Sequence, residues 1–166
     1  EAHAATRDDA RLIRTEVERC REIILRMGAR AGGTMGEVPE RVLPSSVWER
    51  CVARLSEGEA ARVERGQDGT SPFVCHASAL EQVVGSLLQN ALDATRPSGG
   101  RVRVASEQSA RWTTFQVTDD GPGIPKEDLA RIGEPFFTTK PAGEGMGLGV
   151  FLARTFAESA QGTLTF

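Results

Sequence analysis

Four short stretches of the 166-residue chain combine side chains and glycines that could do chemistry. In NALDA, residues 90–94, Asn90 supplies an amide oxygen and Asp93 a carboxylate about one helical turn apart, the oxygen donors that magnesium accepts. They belong to a polar stripe, Gln82, Ser86, Asn90 and Asp93, at steps of four, four and three. Such a stripe is either a solvated face or a ligand-facing one, because amphipathic helices commonly carry a polar side. DDGPGIP, residues 119–125, sets two carboxylates and two glycines after an alternating run, a turn or a place where backbone must come close to a ligand. In EPFFTTK, residues 134–140, Thr138, Thr139 and Lys140 could meet phosphate oxygens, or Phe136 and Phe137 could be a buried pair beside an ordinary turn. GEGMGLGV, residues 143–150, has Gly143, Gly145, Gly147 and Gly149 at alternate positions before an apolar helix, so unobstructed N–H groups lead into a helix N-terminus that can hold phosphate. It matches neither the dinucleotide fingerprint nor the Walker pattern.

The elements that must position these residues follow from periodicity. From Thr6 to Met27 apolar residues recur at Ile13, Val17, Cys20, Ile24 and Met27, the seam of a bundle or coiled-coil helix that needs a partner. Residues 31–44, with glycines and two prolines, read as a linker and domain boundary. Ser45 or Ser46 is expected to cap a helix through Val47, Cys51, Val52 and Leu55 that ends before Gly58. Weak strands are expected around residues 61–64 and 71–75. The longest globular helix is expected over residues 79–94, with Leu80, Val83, Val84, Leu87, Leu88 and Ala91 on one face. Alternating runs at 101–106 and 112–118 read as adjacent strands, then come a short helix near Lys126, a last helix over 148–158, and GTLTF as a closing strand. That order suggests one sheet covered on one side by helices.

Composition narrows the partners. The net charge is −3 and the basic residues are scattered, so no nucleic-acid footprint is visible, and tyrosine is absent. Cys20, Cys51 and Cys75 show no metal-ligand spacing, and no apolar run is long enough to span a bilayer or form a signal peptide. A reduced, cytoplasmic setting without membrane contact is expected for this fragment, whether or not its parent is membrane-anchored.

Taken in order, NALDA, DDGPGIP, EPFFTTK and GEGMGLG resemble the N, G1, F and G2 boxes of the catalytic domain of bacterial sensor histidine kinases, members of the ATPase superfamily shared with gyrase B, MutL and the heat-shock chaperones. The resemblance implies an α+β fold: a two-layer α/β sandwich of the Bergerat type, a mixed sheet with helices on one face, preceded by a long bundle-type helix. It implies ATP and Mg²⁺ as cofactors. Asn90 would ligate the metal and act with Lys140 in catalysis; Asp93 would lie in the same pocket. Asp119 would take the adenine amino group as a buried acceptor, leaving Asp120 a bystander, while Gly121, Gly123 and Ile124 would let the base approach. Phe137, Thr138, Thr139 and Lys140 would line the phosphate side, and Gly145, Gly147, Leu148 and Gly149 would form the lid and helix start.

The resemblance further implies that residues 1–30 are the second helix of the dimerisation and phosphoacceptor hairpin, and that residues 45–166 are the catalytic domain. Partners would be a second copy through that helix, the acceptor-histidine domain of the same kinase, and a response regulator. Neither His3 nor His76 fits an acceptor box, so the acceptor is expected on a preceding segment of a longer kinase. GTLTF falls one strand short of the family pattern, and Ala160 to Gly162 stands where a double glycine is usual. Ser86 stands where hydrolysing relatives have a glutamate, which implies weak intrinsic ATP hydrolysis. RCREI, residues 19–23, and the run from Gly133 to Thr155 are most similar to RegB-type redox-responsive sensor kinases, in which a cysteine matching Cys20 is a proposed redox sensor; the alternative is a small apolar seam residue. The rivals are a protein-serine kinase of the same fold and a nucleotide-binding module that transfers nothing; the heptad helix favours the histidine kinase.

Overall fold

The computed structural model of the protein describes residues 38–141 and 145–166. The heptad helix and Cys20 therefore lie outside the described residues. Along the chain run β1 (Glu40–Val42), α1 (Pro44–Val52), α2 (Glu57–Ala60), β2 (Val63–Arg65), β3 (Phe73–Cys75), α3 (Ala77–Ala94), β4 (Val102–Gln108), β5 (Thr113–Asp119), α4 (Lys126–Leu129) and α5 (Gly149–Ser159).

β4 is central in a mixed three-stranded sheet, parallel to β2 and antiparallel to β5. Its side chains alternate as a half-buried strand requires, with Val102, Val104 and Ser106 buried and Arg103 and Glu107 exposed. The register sets Val104 opposite Val117 and Val102 opposite Asp119, so Asp119 falls on the helix-facing side of the sheet. β1 and β3 form a separate antiparallel ribbon. Among the described residues there are thus two sheets where the sequence suggested one. Phe115 joins them: its ring lies 5.6 Å from Trp48 of α1 and 5.9 Å from Phe73 of β3, both tilted.

α3 carries the core. Leu80, Val84, Leu88, Ala91 and Leu92 are buried at helical spacing, against Val47, Trp48 and Cys51 of α1 and the valines of β4. Val83 packs on the edge of this cluster and Leu87 is half-buried, so the apolar face is narrower than the sequence pattern. Glu81 is buried, yet paired: Arg50 Nε lies 2.9 Å and Arg54 2.8 Å from its two oxygens, which ties α1 to α3. Burial pushes the neighbouring Cys51 thiol up to about 11, with Glu81 adding to the shift, so this cysteine is an inert packing residue.

Three local expectations are corrected. Residues 40–42, within the stretch read as linker, are strand β1, and α1 begins at Pro44. Proline suits a first helical turn because its missing N–H has no intrahelical partner there, so neither serine is the cap; Ser46 Oγ instead donates to Leu43 O at 2.8 Å. The helix does end before Gly58 as expected, at Val52 and short of Leu55; Gly58 itself sits inside α2, which a Ser56–Glu59 capping box starts. Residues 162–166 form no ladder, so GTLTF is not a strand among the described residues. α5 ends in a Schellman motif: Gly162 N–H bonds Ala157 O at 2.7 Å and Gln161 N–H bonds Glu158 O at 2.9 Å, with Gln161 at φ 60°.

Arg62 braces the end of α3. Its guanidinium donates to Gly100 O at 2.9 Å, to Leu92 O at 3.2 Å and to Thr95 Oγ1, placing positive charge on the carbonyl end of the helix. Replacing Arg62 with Met removes these charged hydrogen bonds, and a loss of about 2 kcal/mol in chemical denaturation is expected. Gln161→Gly should act in the opposite direction. Relief of the left-handed penalty is worth about 1 kcal/mol, read as a melting temperature roughly 2–4 °C higher.

Candidate functional site

The polar stripe of α3 is not simply solvated. Lys140, distant in sequence, donates from Nζ to Asp93 Oδ2 at 2.6 Å and to Asn90 Oδ1 at 3.2 Å. An ammonium has donors only, so it draws the amide oxygen and the carboxylate toward a single point. Asp93 is further held by Arg96 at 2.6 Å and by Gln89 Nε2 at 3.2 Å, both on Oδ1. Partial burial on its own would raise the Asp93 pKa; the hydrogen bonds from Lys140 and Gln89 and the charges of Lys140 and Arg96 outweigh it and hold the carboxyl below its usual range. Gln89 also donates to Glu59 at 3.2 Å. Hydrogen bonds from Ser56 and Gln89 bring the Glu59 pKa down to about 2. Sequence reasoning passed over Gln89 and Arg96, although their spacing of four and three from Asp93 was the available signal.

The glycine-rich segment meets α3 at the start of α5. A Cβ on Gly149 would lie 2.4 Å from Ser86 Oγ and 3.5 Å from Asn90 Nδ2, so glycine lets the two helices touch at these side chains. Gly147, at φ +65°, is pressed against the preceding loop: a Cβ would lie 2.5 Å from Phe136 C and 2.6 Å from Phe137 O. Phe136 N–H returns a bond to Gly147 O at 3.0 Å. Gly145 faces the stem of Lys140, whose Cδ would be 3.1 Å from an added Cβ, and Thr138 Oγ1 at 3.3 Å. Thr138 Oγ1 accepts the Lys140 N–H at 3.1 Å, while Thr139 is exposed. Leu148 is the half-buried N-cap residue of α5. Phe137 is half-buried, with the Arg131 guanidinium 4.2 Å from its ring centroid.

At the other end of the site, Asp119 Oδ1 accepts the Gly121 N–H at 2.9 Å. A Cβ on Gly121 would collide with that oxygen at 2.5 Å and approach Ala94 Cβ at 3.2 Å, so this turn lies against the end of α3. Asp119 is exposed, which corrects the expectation of a buried carboxylate: β5 is an edge strand, and α3 ends at Ala94. Its side chain nevertheless points to the helix layer. Gly123 is exposed at φ +72° with open space around it, and Ile124 is exposed. Asp93 immediately precedes Ala94, so the Lys140 contacts and the Asp119 turn both lie at the C-terminal end of α3, while the Ser86–Gly149 contact lies roughly 12 Å back along the helix from Ala94.

The joint between the two loops can be tested by its sterics. Gly147→Ala must place a methyl group against backbone at a left-handed φ, and a loss of about 2–4 kcal/mol in thermal or urea denaturation is expected. Gly145→Ala meets chiefly flexible side-chain atoms and should cost far less; equal losses would show that the packing at Gly147 is not what fixes the loop.

Residues 75–166, more than half of the chain, match the family described as histidine kinase-, DNA gyrase B-, and HSP90-like ATPase. The sensor histidine kinase RegB of Cereibacter sphaeroides is 34% identical over 98% of this chain, which spans 37% of that protein's length. Among solved structures, the mycobacterial sensor histidine kinase MprB is 29% identical with a TM-score of 0.61, covering 74% of this chain and 80% of that one. The catalytic domain of histidine kinase ThkA is 25% identical with a TM-score of 0.64, covering 74% and 81%. The fold is therefore that of a histidine kinase catalytic domain, and the chain belongs to the histidine kinase-, DNA gyrase B- and HSP90-like ATPase family.

Proposed function

We propose that this chain is the ATP-binding catalytic domain of a two-component sensor histidine kinase. It would pass the γ-phosphoryl group of ATP to a histidine on the dimerisation domain of the same kinase, and from there to a response regulator. The observation that carries this reading is the convergence of Asn90, Asp93 and Lys140 beside the glycine-lined start of α5, with the Asp119 turn lying against Ala94, the last residue of the same helix.

Asp119 would accept a hydrogen bond from the adenine amino group and so select against guanine, which offers an oxygen there. Gly121, Gly123 and Ile124 would face the base. The N–H groups at the start of α5, with Gly147, Leu148 and Gly149, would receive phosphate oxygens at the positive end of the helix dipole. Thr138, Thr139 and Lys140 would approach from the opposite loop. Mg²⁺ fits the donor set, since Asn90 Oδ1 and Asp93 Oδ2 already gather a cation. When bound, the metal would neutralise charge on the phosphate chain.

In the transfer an imidazole nitrogen attacks the γ-phosphorus, the bond to the β-phosphate oxygen breaks, and ADP leaves with the negative charge that Lys140 and the α5 N-terminus offset. The protein's task is positioning and charge neutralisation, because the imidazole brings its own nucleophile. Ser86 Oγ lies against α5 and offers no carboxylate to activate water, which supports slow hydrolysis. A second copy would join through the heptad seam of residues 13–27. No described helix is long and apolar enough to cross a membrane.

Incubating the chain with a separate histidine-bearing bundle of a related kinase and γ-labelled ATP is expected to put acid-labile, alkali-stable label on the bundle. Asn90→Ala should lose the transfer, and Asp119→Ala should weaken nucleotide binding at least about tenfold while keeping the fold, a loss of roughly 1.4 kcal/mol or more. Unchanged ATP affinity in Asp119→Ala would overturn the assignment.

A further inference from the structure

Lys140 stands on the two oxygens that the proposed reading gives to the metal. Its ammonium uses two of its three donors, on Asp93 Oδ2 at 2.6 Å and Asn90 Oδ1 at 3.2 Å. Magnesium binds oxygen at about 2.0–2.1 Å in a near-octahedral shell, so a divalent ion on Asn90 Oδ1 would share the same few ångströms with the lysine cation. Two adjacent positive charges repel, and the oxygens cannot satisfy both. The side chains of Lys140 and Asp93 are 30% and 21% exposed, too sheltered for water to screen the clash fully.

We propose that Lys140 is a resident stand-in for the divalent cation. It satisfies Asn90 and Asp93 when no nucleotide is present, and it excludes the metal until phosphate draws the ammonium away. The inference rests on the reading of this site as an ATP site and adds an order of events to it. A free divalent ion meets a blocked pair of oxygens. A triphosphate offers Lys140 stronger, fully anionic acceptors, the ammonium moves to them, and Asn90 and Asp93 are released to the ion that the nucleotide brings. Nucleotide and metal are then coupled through one side chain, and by linkage each raises the affinity of the other.

Two features of the surroundings suit this exchange. The stem of Lys140 lies against Gly145, where an added Cβ would be only 3.1 Å from Cδ, so moving the ammonium is mechanically tied to the glycine segment leading into α5. Asp93 keeps Arg96 and Gln89 as partners on its other oxygen, so departure of the lysine does not leave the carboxylate unpaired.

The probe is Mn²⁺, titrated into the 166-residue chain without nucleotide and followed by the loss of its free-ion paramagnetic resonance signal. The wild-type chain should bind it weakly. Lys140→Met, which keeps the stem and removes the charge, should bind at least about tenfold more tightly, and adding Asn90→Ala should abolish the gain. Lys140→Arg retains the charge and should keep the ion out. Circular dichroism and melting curves confirm that each variant is folded. No gain in a folded Lys140→Met, or an equal gain in Lys140→Arg, would overturn the stand-in role while leaving ATP binding by the wild type intact. Wild-type chain that fails to bind a fluorescent ATP analogue would overturn the site reading itself, and this inference with it.

Discussion

Helix α3 has to satisfy two environments with one set of side chains, and the rest of the structure is arranged around that constraint. Leu88 and Leu92 are buried almost completely, each worth about 1.5–3 kcal/mol relative to exposure. Their burial fixes the rotation of the helix, because each residue advances the face by a fixed fraction of a turn. Once Leu88 and Leu92 face the sheet, Ser86, Asn90 and Asp93 must face α5 and the loop bearing Lys140. The packing of the core and the aim of the polar groups are the same choice made once. Arg62 at the carbonyl end of α3 and the Glu81 pair with α1 then hold the helix along its length.

The charges follow from that choice. Asp93 would be poorly placed at the rim of a core unless cations surrounded it, and Lys140 and Arg96 supply them. Gln89 passes the restraint on to Glu59 in α2, so a four-residue helix that buries nothing of its own helps to orient the Asp93 carboxylate. Of these ion pairs, the one with the largely exposed Arg96 guanidinium adds little stability. The effect of the pairs is geometric: they decide which oxygen of Asp93 faces Lys140.

Much of this organisation could be read from residue order. The apolar repeat of α3, the alternation in β4 and β5 and the short helix at Lys126 are local patterns, and the structure places them within about two residues of where periodicity put them. The four glycine and polar motifs were legible because their residue types are unusual for plain structure. Non-local facts were not legible. β1 is three residues long and bounded by Pro39 and Pro44, so nothing in its own sequence outweighs the signal of a linker; it is a strand only because β3 pairs with it. GTLTF has strand composition, yet no ladder in the described residues receives it. The contact of Lys140 with Asn90 and Asp93 spans nearly fifty residues, and spacing could supply only the chemical types. Asp119 reads as a buried acceptor from its motif but is exposed, because it ends an edge strand.

The join between the two loops carries the last consequence. Phe136 adopts φ 68°, a conformation costly for a residue with a side chain, and it does so where its N–H meets Gly147 O. Gly147 mirrors it at φ +65°, packed so closely on the Phe136 and Phe137 backbone that no side chain fits. Strain of this kind persists only where the surroundings overdetermine it. Here the Arg131 guanidinium on the Phe137 ring and the docking of Gly149 on Ser86 supply the restraint from either side. The loop bearing Thr138 and Lys140 is thereby fixed to the N-terminal turn of α5, and the lysine reaches α3 from a braced base. A flexible side chain on a rigid mount can exchange partners without the helices moving, which is the mechanical condition for Lys140 to leave Asn90 and Asp93 for an anion at the α5 terminus.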